Sequence, residues 1–197
     1  INEYRTLADK DVRKRYDDLL AELKRRNVPM GGMGIQGHEP RQEWFSPVEV
    51  WKTIDQYQRF GWPIHITEFH PQSSGVPRTG EWSKGTWTSD EQVEFTEQFV
   101  RLCFGHPAVA SINWWGFSDR NIWLPGGGLV DEEYNPKPVY KMLDKLINET
   151  WKTNSVFQTD SQGNISFRGF YGAYEVKITS ANGHKVVYNL HVSKNEE

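Results

Sequence analysis

Helical hydrophobic patterns alternate with short apolar runs along roughly the first 150 residues. Four stretches place apolar side chains three or four positions apart, which is the spacing of one face of an amphipathic helix. Apolar runs lie between them at 28–37, 63–69 and 108–117, and residues 1–4 have the character of the end of another strand. The order β-α-β-α-β-α-β-α predicts parallel strands that are joined by right-handed crossovers.

Start and stop signals bound these four helices. The first is predicted over 11–26. Ser46, followed by proline and then by glutamate three residues later, is predicted as the N-cap of the second helix, with Gly61 at its end. Ser89 begins a second capping pattern, so we predict it as the N-cap of the third helix, and Pro138 is predicted to open the fourth.

Four β/α units make half of an eight-stranded barrel. We therefore predict an α/β fold over residues 1–151, namely half of a (β/α)8 TIM barrel. Two strand edges are left unpaired in such a half.

The pattern changes after Trp151. Alternating segments at 165–170, 174–178 and 185–190 are separated by turn signals at 160–163 and 182–183. They predict a small antiparallel β-module over 152–197, on a scale of about 45 residues where a separate core is barely sufficient. We expect it to lean on the α/β part through one of its aromatic side chains, Phe157, Phe167, Phe170 or Tyr171.

Composition narrows the classes of partner. The net charge of −3 gives no reason to expect nucleic acid or an anionic membrane as a partner. No apolar stretch reaches the ~18 residues of a membrane span. The single Cys103 excludes an internal disulfide and a cysteine-based metal site. The chain opens with Ile1 rather than methionine, which we interpret as a fragment, a processed product or half of a larger assembly.

Candidate chemistry collects at the predicted strand ends, which is where parallel barrels hold their active sites. Glu68 ends one strand and His38 follows another. Trp115 and Trp123 flank Asp119 after a third, and the chain is rich in tryptophan, with nine in all. One carboxylate, one imidazole and exposed indole faces predict a site that cleaves sugars.

Glu68 is the candidate nucleophile, since a carboxylate can attack an anomeric carbon and form a glycosyl-enzyme intermediate. It must be ionised to do so, and His38 is the natural hydrogen-bond donor beside it. Gln36 shares the side-chain parity of His38 and is expected to face the same pocket. The alternatives are a solvated loop glutamate and a rim histidine with a structural role.

The sequence gives weaker support for other kinds of functional site. Trp115 and Trp123 either pack over the barrel mouth or wall a sugar subsite, and both roles can hold together. A zinc site of His38, Glu68 and His70 is sterically conceivable but lacks a matched ligand spacing, so no metal is predicted. Neither a nucleophile elbow nor a phosphate-binding glycine loop occurs, and no cofactor is predicted.

Several of these motifs together resemble glycoside hydrolase family 10, whose members are retaining endo-β-1,4-xylanases on a (β/α)8 barrel. They are residues 34–38 (Gly-Ile-Gln-Gly-His), 64–68 (Ile-His-Ile-Thr-Glu), 115–119 with Trp123, and 129–131 followed by 136–140. Residues 1–4 are similar to that family's Asn-Asp-Tyr signature on the fifth strand. The resemblance covers residues 1 to about 150, as the fifth to eighth β/α units.

The resemblance implies roles for individual residues. Glu68 becomes the nucleophile and His38 its hydrogen-bonding neighbour. The resemblance implies that Gln36 contacts substrate. It also implies that Trp115 and Trp123 line the glycone side and that Tyr4 lies near the aglycone side. The family's acid/base glutamate belongs to the fourth strand, so Glu3 is not assigned that role.

Two positions depart from the family pattern. His70 stands where an aspartate usually completes a network with the histidine, and we also count it among the substrate-binding candidates. Exchanging an anion for an imidazole is expected to change the protonation of His38 and the pH optimum. Ile122 replaces the serine that usually precedes the last tryptophan.

The resulting expectation is a retaining endo-1,4-β-xylanase-like glycosidase that acts on xylan or xylo-oligosaccharides and is secreted or periplasmic by resemblance. The partner expected beside the substrate is a complementary half-barrel or a second copy of the chain. The alternatives are a half-barrel that binds xylan without cutting it, and a self-assembled barrel of two copies.

Overall fold

The structure is a computed structural model that describes residues 1–38 and 41–193. The chain divides into two compact units, Ile1–Leu143 and Asp144–Glu197. Strands and helices alternate in the predicted order: β1 (Asn2–Glu3), α1 (Lys10–Arg25), β2 (Met33–Ile35), α2 (Pro47–Gln58), β3 (Ile64–Phe69), α3 (Ser89–Gly105), β4 (Val109–Trp114) and α4 (Pro138–Lys145), followed by a π-helical turn over Leu146–Thr150.

The first unit holds a four-stranded parallel sheet in the order β1-β2-β3-β4. This sequential parallel order confirms the prediction of a half-barrel. One face of the sheet is aliphatic and 0–1% exposed, through Met33, Ile35, Ile64 and Ile66. Helices cover this side: Tyr16 of α1 donates its hydroxyl proton to the carbonyl of Gly34 at 3.1 Å.

The pairing of β3 with β4 shifts register twice, between Ile64 and His65 and again between Ile66 and Phe69, and the second shift bears on the site. Ile66 pairs with Ile112 and Phe69 pairs with Trp114, so three steps along β3 match two steps along β4. One extra residue on β3 is a β-bulge, which locally breaks the alternation of side chains between the two faces. Phe69 consequently returns to the helical side, where it stacks on Phe99 at 4.4 Å between ring centroids.

The structure confirms one predicted N-cap and corrects another. Ser46 is the N-cap of α2, but its side chain makes no capping hydrogen bond. The N-cap of α3 is Thr88, not Ser89, because the backbone of Thr88 is extended and its hydroxyl accepts the Glu91 N–H at 3.4 Å. The strand predicted over 28–37 is also shorter, since β2 occupies only Met33–Ile35.

The tryptophans in the loops after β2 and β3 differ in how far they are exposed. Trp87 is 1% exposed and stacks on Trp44 at 5.8 Å between ring centroids, so it belongs to the core. Trp82 is 56% exposed. None of the helices in the described residues has the length and apolar character that a bilayer crossing requires.

The second unit contains an antiparallel hairpin of β5 (Gly172–Thr179) and β6 (Lys185–Val192), with Gly183 at φ +84° in its turn. The strand predicted at 165–170 is wrong: that segment is irregular, because no neighbouring strand pairs with it in the described residues. Residues 194–197 of the predicted module lie outside the described residues. Its boundary at 152 and its contact with the α/β part stay predictions.

Candidate functional site

The bulge in β3 sets the direction of the Glu68 side chain. Strict alternation from Ile64 and Ile66 would aim Glu68 at the helices. The extra residue instead leaves it on the opposite, open face, where Asn2 of β1 donates from Nδ2 to Glu68 Oε1 at 3.4 Å. Sequence analysis placed Glu68 at a strand end but had no signal for this turn.

His38, in the segment after β2, lies against the same residue. Its Nδ1 lies 2.7 Å from the Glu68 backbone oxygen, and since a carbonyl only accepts, Nδ1 carries the proton. The same nitrogen is 3.8 Å from Glu68 Oε2, and the two side chains are only 12% and 19% exposed. His38 thus lies beside Glu68 and bonds to its backbone, while a hydrogen bond from His38 to the carboxylate stays a prediction.

Trp123 forms one wall beside this pair. Its ring centroid lies 5.4 Å from that of His38 and 5.6 Å from that of His70, both in edge-on contacts. The guanidinium of Arg41 stacks over the same indole at 4.5 Å. Trp123 remains 43% exposed, so these contacts hold an accessible indole face close to Glu68.

His70 lies in a different environment from Glu68, only two residues away. It is 1% exposed, and neither of its ring nitrogens has a hydrogen-bond partner among the described residues. Gly127 lies so close that an added Cβ would be 2.1 Å from His70 Nε2. The pKa of His70 is lowered to about 4, mainly by burial, with the nearby His38 and Lys137 also lowering it and Asp119 opposing them. The ring is therefore neutral at neutral pH.

The loop that carries Trp123 is fixed by a largely buried ion pair that sequence analysis missed. Lys137 donates to Asp119 Oδ2 at 2.8 Å and to the Gly126 carbonyl at 2.8 Å. Asp119 Oδ1 accepts the Gly128 N–H at 2.6 Å. These bonds join the segment after β4 to the start of α4. They therefore stabilise the loop that positions Trp123.

Glu3 lies outside the group of residues around Glu68. It neighbours Asn2 on β1 and pairs with Ile35, whose side chain lies on the helical face. The Glu3 carboxylate accepts the N–H of Tyr4 at 2.8 Å, and its charge contributes to the raised pKa of Tyr16 on α1, which is mainly a burial effect and brings that value to about 12. Glu3 and Glu68 therefore face opposite sides of the sheet.

The remaining candidates lie at the rim. Tyr4 is 50% and Trp115 is 47% exposed, and the N–H of Glu68 donates to the backbone oxygen of Gln36 at 2.8 Å. Gly37, at φ +85°, interrupts the extended chain between Gln36 and His38, so their shared parity no longer implies a shared direction. In the described part of the chain no group of three or more potential metal-ligating side chains occurs.

Comparisons with known proteins agree with this geometry. The sequence profile of Glycosyl hydrolase family 10 matches residues 1–146. Endo-1,4-beta-xylanase B of Thermotoga neapolitana is 30% identical over 142 residues, which cover 68% of this chain and 39% of that protein. A second relative, the anti-sigma-I factor RsgI6 of Acetivibrio thermocellus, is 27% identical over 187 residues, or 92% of this chain and 22% of that protein.

A solved structure gives the same result for the fold. The crystal structure of xylanase 10B from Thermotoga petrophila RKU-1 in complex with xylobiose is similar with a TM-score of 0.62 and 26% identity, over 76% of this chain and 46% of that one. The chain thus spans less than half the length of the relatives that it matches. With the profile match over most of its length, the chain belongs to glycosyl hydrolase family 10.

Proposed function

We propose that this chain supplies the nucleophile side of a retaining endo-β-1,4-xylanase, with Glu68 as the nucleophile. The observation that carries the proposal is the carboxylate of Glu68, turned to the open face and held by Asn2 and His38 beside an accessible indole. In such a reaction the carboxylate oxygen bonds to the anomeric carbon as the glycosidic oxygen leaves, and water later hydrolyses the glycosyl ester.

The surrounding residues fit the handling of a sugar chain. Trp123 and Trp115 offer partly exposed indoles for stacking on sugar rings, and Gln36 and Tyr4 supply polar groups at the rim. His70 is buried at 1% exposure, which argues against direct contact with substrate, and that contact stays a prediction. Xylan or xylo-oligosaccharide is the proposed substrate, and a secreted or periplasmic location remains part of the proposal.

The second carboxyl of the reaction must come from elsewhere. In retaining glycosidases the two carboxyl groups are about 5–5.5 Å apart. Among the described residues the side chain of Glu68 contacts Asn2 and His38 rather than another carboxylate, and Glu3 lies on the other face. We propose that a complementary half-barrel brings the general acid/base to Glu68, since a second copy of this chain would bring a second nucleophile instead.

A non-catalytic xylan-binding role is the second candidate. The observation that favours it is the relative whose name is that of an anti-sigma factor rather than of a hydrolase, although it matches across most of this chain. Both roles would use the same tryptophans, but only the enzyme needs an ionised Glu68.

An activated substrate separates the two candidates. The dinitrophenolate of 2,4-dinitrophenyl β-xylobioside leaves without protonation, so the first step needs the nucleophile but no general acid. We expect the purified chain to release about one dinitrophenolate per molecule and to gain a xylobiosyl adduct that peptide mass spectrometry places on Glu68.

Two variants complete this experiment. Glu68→Gln is expected to slow the release by on the order of 10⁴-fold or more, as removal of a catalytic nucleophile does. Glu3→Gln, on the opposite face, is the matched control and is expected to label like the parent. Retention of the chain on xylan without any adduct would contradict the enzyme and support the binding role.

A further inference from the structure

Asn2 reaches across an entire strand to contact Glu68. β2 lies between β1 and β3 in the sheet, and Asn2 is in register with Gly34 of β2. An added Cβ at Gly34 would lie 2.5 Å from Asn2 Oδ1 and 3.1 Å from Thr67 Cγ2. The missing side chain at this position therefore provides the space through which the amide passes.

The two ends of the Asn2 amide have different partners. Oδ1 accepts the hydroxyl proton of Thr67 at 3.0 Å, and Nδ2 donates to Glu68 Oε1 at 3.4 Å. The reversed amide would turn its oxygen toward the carboxylate, where both groups only accept. The Thr67 hydroxyl lies farther, at 3.4 Å, from its other acceptor, the carbonyl of Ile35. Thr67 and Glu68 thus favour the same orientation of the amide.

The bulge makes this contact possible. Consecutive residues of a regular strand point to opposite faces, whereas the register shift between Ile66 and Phe69 brings both Thr67 and Glu68 to Asn2. Thr67 fixes the orientation of the Asn2 amide, and Glu68 accepts the hydrogen bond that this amide donates. In a strand without the bulge, Thr67 and Glu68 would point to opposite faces of the sheet and could not both contact Asn2.

We propose that Gly34, Asn2 and Thr67 form an amide bridge that positions the nucleophile, with Thr67 as a positioning residue that acts only through Asn2. The proposal rests on the proposed role of Glu68. The bridge presents a donor to one carboxylate oxygen while His38 lies beside the other, so the carboxylate plane is fixed from both sides. Residues that orient the ligands of a metal ion typically contribute about 10- to 100-fold to activity, and we expect a similar effect on an oriented carboxylate.

Thr67→Val tests the bridge, because it keeps the branched shape of the side chain and removes the hydroxyl. We expect the rate constant for dinitrophenolate release at saturating 2,4-dinitrophenyl β-xylobioside to fall about 10- to 100-fold, with little change in the half-saturating concentration. Thr67→Ser, which restores the hydroxyl, is expected to recover most of the rate. A purely structural role of Thr67 would not produce this rescue by serine together with an unchanged half-saturating concentration.

Gly34→Ala is an independent test from the neighbouring strand. The backbone of Gly34 does not have a positive φ, so alanine is tolerated there and its Cβ displaces the Asn2 amide. Gly31→Ala is the matched control, since an added Cβ at Gly31 meets nothing within 4 Å. We expect slower release for Gly34→Ala and the parent rate for Gly31→Ala.

The NMR chemical shifts of the Asn2 side-chain NH2 group test the bridge in the absence of substrate. In the parent these signals are expected to shift on Glu68→Gln, and in Thr67→Val they are expected to approach those of a free amide. Parent-like signals and a parent-like release rate in Thr67→Val would overturn the amide bridge alone. A parent chain that forms no adduct overturns the proposed function and the role of the bridge with it.

Discussion

The two faces of the parallel sheet are built from different chemistry. The helical face is aliphatic and fully buried, through Met33, Ile35, Ile64 and Ile66. The open face is polar: His65 contacts Ser111 at 2.8 Å, and Asn2, Thr67 and Glu68 are linked above them. The strands alternate between a surface that stabilises the fold and a surface available for chemistry, and the bulge in β3 moves Glu68 from the first to the second.

The largest expected difference between the faces is in stability. Ile66→Ala removes a fully buried side chain and is expected to lower the free energy of unfolding by about 2–5 kcal/mol. His65→Ala, the next residue on the open face, removes one hydrogen bond and is expected to cost about 0.5–1.5 kcal/mol. Urea unfolding of both variants in the same buffer measures the difference.

Equal losses in these two variants would mean that the open face is as tightly packed as the helical face, and the comparison would fail. The slope of each transition serves as a control, because an altered slope indicates a change in the unfolded state rather than a lost contact.

His70 provides a pH-dependent test, because it lies only two residues after Glu68 of the open face but is itself buried. Its pKa of about 4 lies below the ordinary 6.5, so below about pH 6.5 the unfolded chain binds a proton that the folded chain does not. The stability contributed by neutral His70 is complete above about pH 6.5 and is lost as the pH falls toward about 4. We expect a loss of about 3 kcal/mol over this range.

His70→Leu isolates this effect, because it keeps a side chain of similar size and cannot titrate. Urea unfolding at several pH values is expected to show a flatter pH dependence for His70→Leu than for the parent, with all other histidines common to both. Parallel curves for the two proteins would show that His70 titrates normally and is not held neutral by burial.

The smallest effect concerns the helices that cover the aliphatic face. Thr88→Ala removes the side-chain cap of α3 and is expected to cost about 1 kcal/mol. Ser46→Ala at the start of α2 is the matched control, and we expect almost no change because the Ser46 side chain makes no capping bond. Thermal unfolding followed by circular dichroism ranks the pair, and a larger loss for Ser46→Ala would contradict the assignment of the caps.

Sequence patterns were sufficient for the order of the elements. Apolar periodicity and caps predicted four alternating β/α units, and the structure confirms them as a sequential parallel sheet. The motifs around Glu68 and His38 also identified the family before any geometry was known. These successes share a cause, because each depends on residues that are close together along the chain.

The features that escaped prediction depend on contacts between distant segments. The bulge is defined only by the pairing of β3 with β4, and Asn2 reaches Glu68 only because Gly34 leaves space between them. The pair of Lys137 with Asp119 joins two loops in the same way. The segment 165–170 failed for the opposite reason, since its alternation was clear but no strand lay beside it.

The amide bridge also has a consequence for folding kinetics. The hairpin of β5 and β6 pairs nearby residues such as Thr179 and Lys185, and hairpins of this kind close within about 1–10 μs. The bond from Asn2 to Glu68 joins positions 66 residues apart in the chain, and parallel sheets with such distant contacts fold more slowly. We therefore expect the surroundings of Glu68 to form late when the whole chain refolds, after the hairpin and the helices.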